Sequence, residues 1–282
     1  GVLWDAISGR QLEILSPTSS FKFVAFSPDG TQVATGENWK ATLWDVATRR
    51  AVRTFIIPNS GTPLSCMAFS PDGTQLLIGQ GDAYSPEGTA KLYDLADRGR
   101  VKKVYRQSAG VNCVVFSPGG DKILIGGGDG KARVLDVETG EDLLTVTSHP
   151  SAIRSVSFSP DGTRLLTANE GGTADAKLWD ALTGELLQTF QLKENGNYSD
   201  IICVDFSPDG KRLLTGTDFA VKLWDASTGE ELRTLPQVGA VWCATFFHDG
   251  TKVLTGCTDG TARIWDISDL VDRTGIQNFE RY

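Results

Sequence analysis

Apolar runs of four to six residues alternate with short polar turns along this chain, in one repeated order. A run of β-branched or small residues ends on Phe and a four-residue turn follows. A second apolar run, a Gly- or Asp-rich link and a third run then lead to a Trp-Asp-like pair. The phenylalanines are Phe26, Phe69, Phe116, Phe158, Phe206 and Phe246, 40 to 48 residues apart, and the turn reads SPDG four times, SPGG once and FHDG once. In such a turn Pro presets φ, Asp bonds nearby backbone and Gly takes the φ > 0 corner, so two strands flank each copy. The pairs are Trp4-Asp5, Trp44-Asp45, Tyr93-Asp94, Leu135-Asp136, Trp179-Asp180, Trp224-Asp225 and Trp265-Asp266. A fourth strand follows most of them, as in ELLQTF (185–190) and ELRTL (231–235). The unit is a four-stranded meander, and a period of this size marks stacked supersecondary units.

Turn and pair recurring together at one spacing resemble the WD40 repeat over residues 1 to about 266, and the near-uniform FSPDG phrasing resembles bacterial members of that family. The resemblance implies an all-β propeller of radial, face-packed blades. Seven pairs against six turns read as a chain entering in mid-blade, which gives seven four-stranded blades with the first incomplete; six blades are the alternative. The expected organisation is one domain over 1–282, with a partial blade at 1–20 and blades at 21–59, 60–108, 109–148, 149–198, 199–237 and 238–282. The tail from Ser268 has charge and no turn phrase, and can cap the final blade.

The resemblance also assigns structural work to the pair positions Trp4, Trp44, Tyr93, Leu135, Trp179, Trp224 and Trp265, whose aromatic members fill the layer between blades. In the family the Trp joins a Ser or Thr, an Asp in the preceding link and a His before the first strand. Here that set is expected to be complete nowhere. Asp129 and Asp259 stand at the right distance from their pairs with no matching His, while His149 has Thr173 in the Asp slot and Asp175 displaced by two.

Composition adds constraints. Hydrophobic residues make up 40% and charged residues 22%, and no apolar run nears the ~18 residues needed to span a membrane. A net charge of −8 argues against nucleic-acid or acidic-membrane surfaces as partners. Cys66, Cys113, Cys203 and Cys243 each lie three residues before a turn Phe, a slot that Ser155 fills in another copy. Phe23 holds the slot in the remaining copy, so the register reads as a mostly small-residue packing position with free thiols, in keeping with the cytoplasm.

Catalysis lacks candidates. Only His149 and His248 are present, no nucleophile, Walker or HExxH motif occurs, and GGGDG at 126–130 leads into a strand rather than a helix. Glu170, Asp175, Glu194, Asp200 and Asp205 form no calcium-type loop, so no metal or cofactor is expected. Asp205 is anomalous, a carboxylate where other copies carry Ala25, Ala68 or Val115.

Variation concentrates four residues before each turn Phe, where Lys22, Ser65, Asn112, Arg154, Ile202 and Trp242 stand on otherwise near-identical repeats. That is the pattern of readout residues on a repeated scaffold. Trp39 and Trp242 belong to no pair, and two long links carry Tyr84 and Tyr198. These nine residues are the candidate partner-binding surface, on the narrow face formed by the links between blades and between second and third strands. The expected function is a non-catalytic, monomeric protein- or peptide-binding scaffold, one domain of a larger protein. The alternative is a small-ligand, metal or enzymatic site at the central channel.

Overall fold

The computed structural model describes residues 2–6, 8–14, 21–57, 62–81, 84–171, 175–194, 197–198 and 200–271. It divides into two compact units, Gly1–Thr145 and Val146–Tyr282. Each is built from antiparallel sheets whose strands follow one another in chain order.

The first unit opens with a two-stranded sheet, Val2–Trp4 and Gln11–Ile14. Three four-stranded blades follow, with inner strands Phe23–Phe26, Leu64–Phe69 and Val111–Phe116. In the second unit the fourth blade begins at Ile153–Phe158 and the fifth comprises Ile201–Phe206, Arg212–Thr217, Ala220–Asp225 and Glu231–Pro236. The sixth has three strands, Val241–Phe246, Lys252–Cys257 and Ala262–Asp266, before the short helix Ser268–Val271. A small hairpin, Lys193–Glu194 with Asn197–Tyr198, stands between the fourth and fifth blades. The architecture is all-β with six blade sheets, the alternative count; the strands that the leading count gives to an incomplete first blade form their own two-stranded sheet.

The turns follow the chemistry of their residues. The Ser27 hydroxyl donates to Asp29 at 2.6 Å, Asp29 accepts from the Thr31 N–H at 3.0 Å, and Gly30 takes φ 69°. In the third blade, where SPGG lacks the Asp, Asp121 receives the Ser117 hydroxyl at 2.9 Å instead. The Asp of each pair closes the next turn: Asp136 accepts from the N–H groups of Glu138 and Thr139 at 2.9 and 2.7 Å, and Asp180 and Asp225 do likewise. Four residues past that Asp the backbone is left-handed, suiting Gly140, Gly184 and Gly229; Arg49 and Arg98 hold the same place at φ 62° and 51°.

Blades pack face to face within each unit. In the second, Leu166, Leu178 and Phe190 of the fourth blade meet Ile201, Val204, Phe206 and Trp224 of the fifth. The Trp224 ring lies edge-on to Phe190 at 5.4 Å, and in the first unit Tyr93 meets Phe55 the same way at 5.0 Å. Truncating such an aromatic to Ala costs about 3–5 kcal/mol. The tail's first residues do cover the last blades: Leu270 is buried with Leu235 and Ile267, and Asp269 pairs with Arg233.

Candidate functional site

The polar network behind the pair is richer than the repeat register suggests. The indole N–H groups of Trp44, Trp179, Trp224 and Trp265 donate to the hydroxyls of Thr35, Thr167, Thr215 and Thr255 at 2.8 to 3.1 Å. In the fourth blade the chain goes further, with His149 Nε2 2.9 Å from the Thr167 hydroxyl and His149 Nδ1 2.7 Å from Asp175 Oδ1. The set is therefore complete in this blade, which corrects the expectation that it is complete nowhere. Asp175 reaches the ring because its backbone N–H is fixed by the Asn169 side chain at 3.0 Å; Thr173 lies outside the described residues.

Two other blades build an equivalent from different residues. Gln107 and Gln237 stand five residues before Asn112 and Trp242, as His149 stands five before Arg154. The Gln107 carbonyl accepts from Arg133 at 3.2 Å, and Arg133 forks onto Asp129. Gln237 likewise accepts from Arg263 at 3.3 Å, and Arg263 reaches Asp259 at 2.6 Å. The Thr261 hydroxyl and then Arg263 hold the Asp259 carboxyl down at about 2. These polar clusters serve the scaffold.

The readout positions share a geometric device. Ser65, Asn112, Arg154, Ile202 and Trp242 each sit where the inner strand slips by one residue against its neighbour, as between Ile201 and Cys203 or Val241 and Cys243. A bulge leaves the extra residue outside the ladder and re-aims its side chain. Trp242 is accordingly 60% exposed, although the residues before it and two after it are buried or strand-paired. Lys22, exposed at the same register of the first blade, is tied by its N–H to the Gly36 carbonyl.

In the second unit this device produces a cavity of ≈ 240 Å³. Arg154 and Glu170 line it from the fourth blade, Asp200, Ile201, Ile202 and Asp218 from the fifth, and Ala240, Trp242 and Thr258 from the sixth. Its walls are fixed by hydrogen bonds between links: the Gly171 N–H donates to Asp200 at 2.8 Å and the Ala240 N–H to the Thr258 hydroxyl at 3.0 Å. Arg154 lies 3.5 Å from Glu170. Three of the nine nominated residues, Arg154, Ile202 and Trp242, thus meet in one place.

The other six are distributed differently. In the first unit Tyr84 is 93% exposed, while Trp39, Ser65 and Asn112 are half-buried. The Ser65 hydroxyl donates to the Val111 carbonyl, so it clasps the second blade to the third. Tyr198 lies in the small hairpin of the second unit. The carboxylates of the cavity, Glu170, Asp200 and Asp218, were not nominated as binding residues, because no repeat register singles out link positions of unequal length.

The remaining candidates are structural. Cys66 lies opposite Gly79, and Cys203 and Cys243 opposite Gly216 and Gly256, where a Cβ would meet the sulfur at 2.3, 2.4 and 3.0 Å. The slot is a cross-strand fit of thiol against glycine. Burial pushes the Cys66 and Cys203 thiols up to about 12, far from nucleophilic. Asp205 links the fifth and sixth blades, accepting from the Thr245 hydroxyl at 2.8 Å and the N–H groups of Phe246 and Phe206 at 3.2 and 2.9 Å. Gly126–Gly130 form the tight strand connection expected of them. Among the described residues no three His, Cys, Asp or Glu side chains are grouped to hold a metal ion, and no helix is long and apolar enough to cross a membrane.

Comparison with known proteins agrees with the repeated all-β fold. The model of the WD domain, G-beta repeat, matches residues 9–45, 184–225 and 229–266. That of the eukaryotic translation initiation factor eIF2A family matches residues 39–194, more than half of the chain. Serine-threonine kinase receptor-associated protein from Gallus gallus is 28% identical over 181 residues, 64% of this chain and 46% of that protein. Its Mus musculus counterpart is 28% identical over 173 residues, 61% and 46% of the two chains. The match spans just under half the length of these relatives.

Proposed function

We propose that this chain, which belongs to the WD40-repeat family and over residues 39–194 also fits the eIF2A family model, is a non-catalytic module that recognises a protein or peptide. Recognition takes place on the end of the blades where the inner strands begin. The observation that carries this reading is the ≈ 240 Å³ cavity, where three bulged readout residues from successive blades, one of them the exposed Trp242, stand together. Aromatic and Arg side chains dominate binding hot spots, and links held by their own hydrogen bonds lose little entropy when a partner docks. The relatives carry names that describe association with a serine-threonine kinase receptor, which is in keeping with a protein partner.

A non-catalytic reading is supported by the thiols of Cys66 and Cys203, which are raised rather than activated, by His149, held between Thr167 and Asp175, and by Asp205, whose raised carboxyl is taken up by three donors between blades. We place the module in the cytoplasm as a monomeric domain, a reading supported by its free thiols and by the match to a model named for a translation initiation factor. The net charge of −8 speaks against nucleic acid as its partner. The test is capture from a lysate of the source organism with wild-type protein beside an Ile202→Ala/Trp242→Ala variant. A protein held by the first and lost by the second, at unchanged thermal midpoint, supports the reading; equal retention by both refutes it.

A further inference from the structure

We infer that the cavity between the fourth, fifth and sixth blades takes a cationic side chain, lysine or arginine, from an extended peptide of the partner. The inference rests on the recognition surface proposed above and names what that surface reads. Three carboxylates, Glu170, Asp200 and Asp218, line the cavity against one guanidinium, that of Arg154. Arg154 is already engaged with Glu170 at 3.5 Å, so the resident cation is balanced and two acids remain. Asp200 spends Oδ1 on the Gly171 N–H, and its second oxygen has no partner among the described residues. Asp218 is half-buried and makes no hydrogen bond or ion pair among the described residues. A carboxylate without a counter-charge gives an incoming cation a charge-assisted hydrogen bond.

The aromatic wall points the same way. The Trp242 ring is 60% exposed beside these acids, and a cation over an indole face gains attraction that grows as water is excluded. A volume of ≈ 240 Å³ falls below the roughly 300–1,000 Å³ of small-molecule and cofactor sites. It suits one long side chain, with the rest of the ligand outside. Phe219 and Val238, 61% and 72% exposed on the links that carry Asp218 and Ala240, offer apolar surface for the flanking peptide. The overall charge of −8 draws a basic segment in from a distance.

The experiment follows the Trp242 indole N–H cross-peak in ¹⁵N-labelled full chain during titration with N-acetyl-arginine amide, N-acetyl-lysine amide, and the glutamine and glutamate amides as controls. The expected result is saturable shifting by the arginine or lysine amide and none by the controls. Binding should weaken about five- to tenfold in Asp218→Asn. Arg154→Gln removes the resident cation and frees Glu170, so it should tighten the same titration, an effect of opposite sign that loss of fold does not mimic. Equal shifting by the glutamine amide, or unchanged binding in Asp218→Asn, overturns the inference. If the Ile202→Ala/Trp242→Ala variant loses its captured protein while Asp218→Asn retains it at full strength, the surface stands and its cation preference falls.

Discussion

Asp205 sets a measurable pH dependence on the contact between the fifth and sixth blades. Burial raises its carboxyl from 3.8 to about 6, against the opposing pull of the Thr245 hydroxyl and the Phe246 and Phe206 N–H groups. The folded chain then keeps a proton that the unfolded chain has released, so stability from this group is present below pH 3.8 and is lost as pH rises towards about 6. The difference of about two units corresponds to about 3 kcal/mol in full, at about 1.36 kcal/mol per unit. Asp205→Asn removes the titration. It also forfeits one acceptor, since an amide offers one oxygen to three donors, a pH-independent cost of about 1 kcal/mol. Relative to wild type, the variant should therefore gain about 2 kcal/mol between pH 4.5 and 7.5, passing from about equal stability to more stable. Urea unfolding of both proteins at four pH values in that window measures it. A stability difference that does not change with pH would refute the argument that Asp205 is protonated by burial.

Three further outcomes follow from the scaffold. His149→Ala empties a buried position and leaves Asp175 and the Thr167 hydroxyl short of a partner, so urea unfolding should show a loss of about 2–4 kcal/mol. Gly216→Ala forces a Cβ to 2.4 Å from the Cys203 sulfur and should cost about 1–3 kcal/mol, of which Cys203→Ala in the same chain restores most; a double-mutant cycle with no coupling would contradict the packing reading. Gln237→Ala leaves Arg263 with Asp259 and the Cys257 sulfur and should cost about 1–2 kcal/mol by the same assay, less than His149→Ala because the Arg–Asp pair stays near water.

What the sequence made legible was whatever repeats. Phe, turn and pair recur together, and each turn hydroxyl, carboxylate and glycine does in the structure what its chemistry requires. Four cysteines in one register marked a packing slot, and the glycine that each of Cys66, Cys203 and Cys243 packs against emerged only with the strand pairing. What escaped was whatever departs from strict register. Asp175 completes the fourth blade's polar set from two residues beyond its expected slot, because Asn169 anchors the start of the third strand there. Gln107 and Gln237 were discoverable, since both share the spacing of His149, but glutamine announces no chemistry until an arginine is placed beside it. The bulges at Arg154, Ile202 and Trp242 have no composition signal; of the carboxylates that share their cavity, Glu170 and Asp200 stand out in the sequence only as a calcium-type loop they do not form, and Asp218 does not stand out at all.

The central claim, that the chain recognises a partner where its inner strands begin, is tested most directly by amide hydrogen exchange of the whole chain with and without a captured partner. Exchange should slow in the links around Asp200–Ile202, Asp218–Phe219 and Ala240–Trp242. The turns at Asp180–Gly184 and Asp225–Gly229, at the other end of the same sheets, should stay unchanged. Protection confined to those turns, with none at the inner-strand starts, would contradict it.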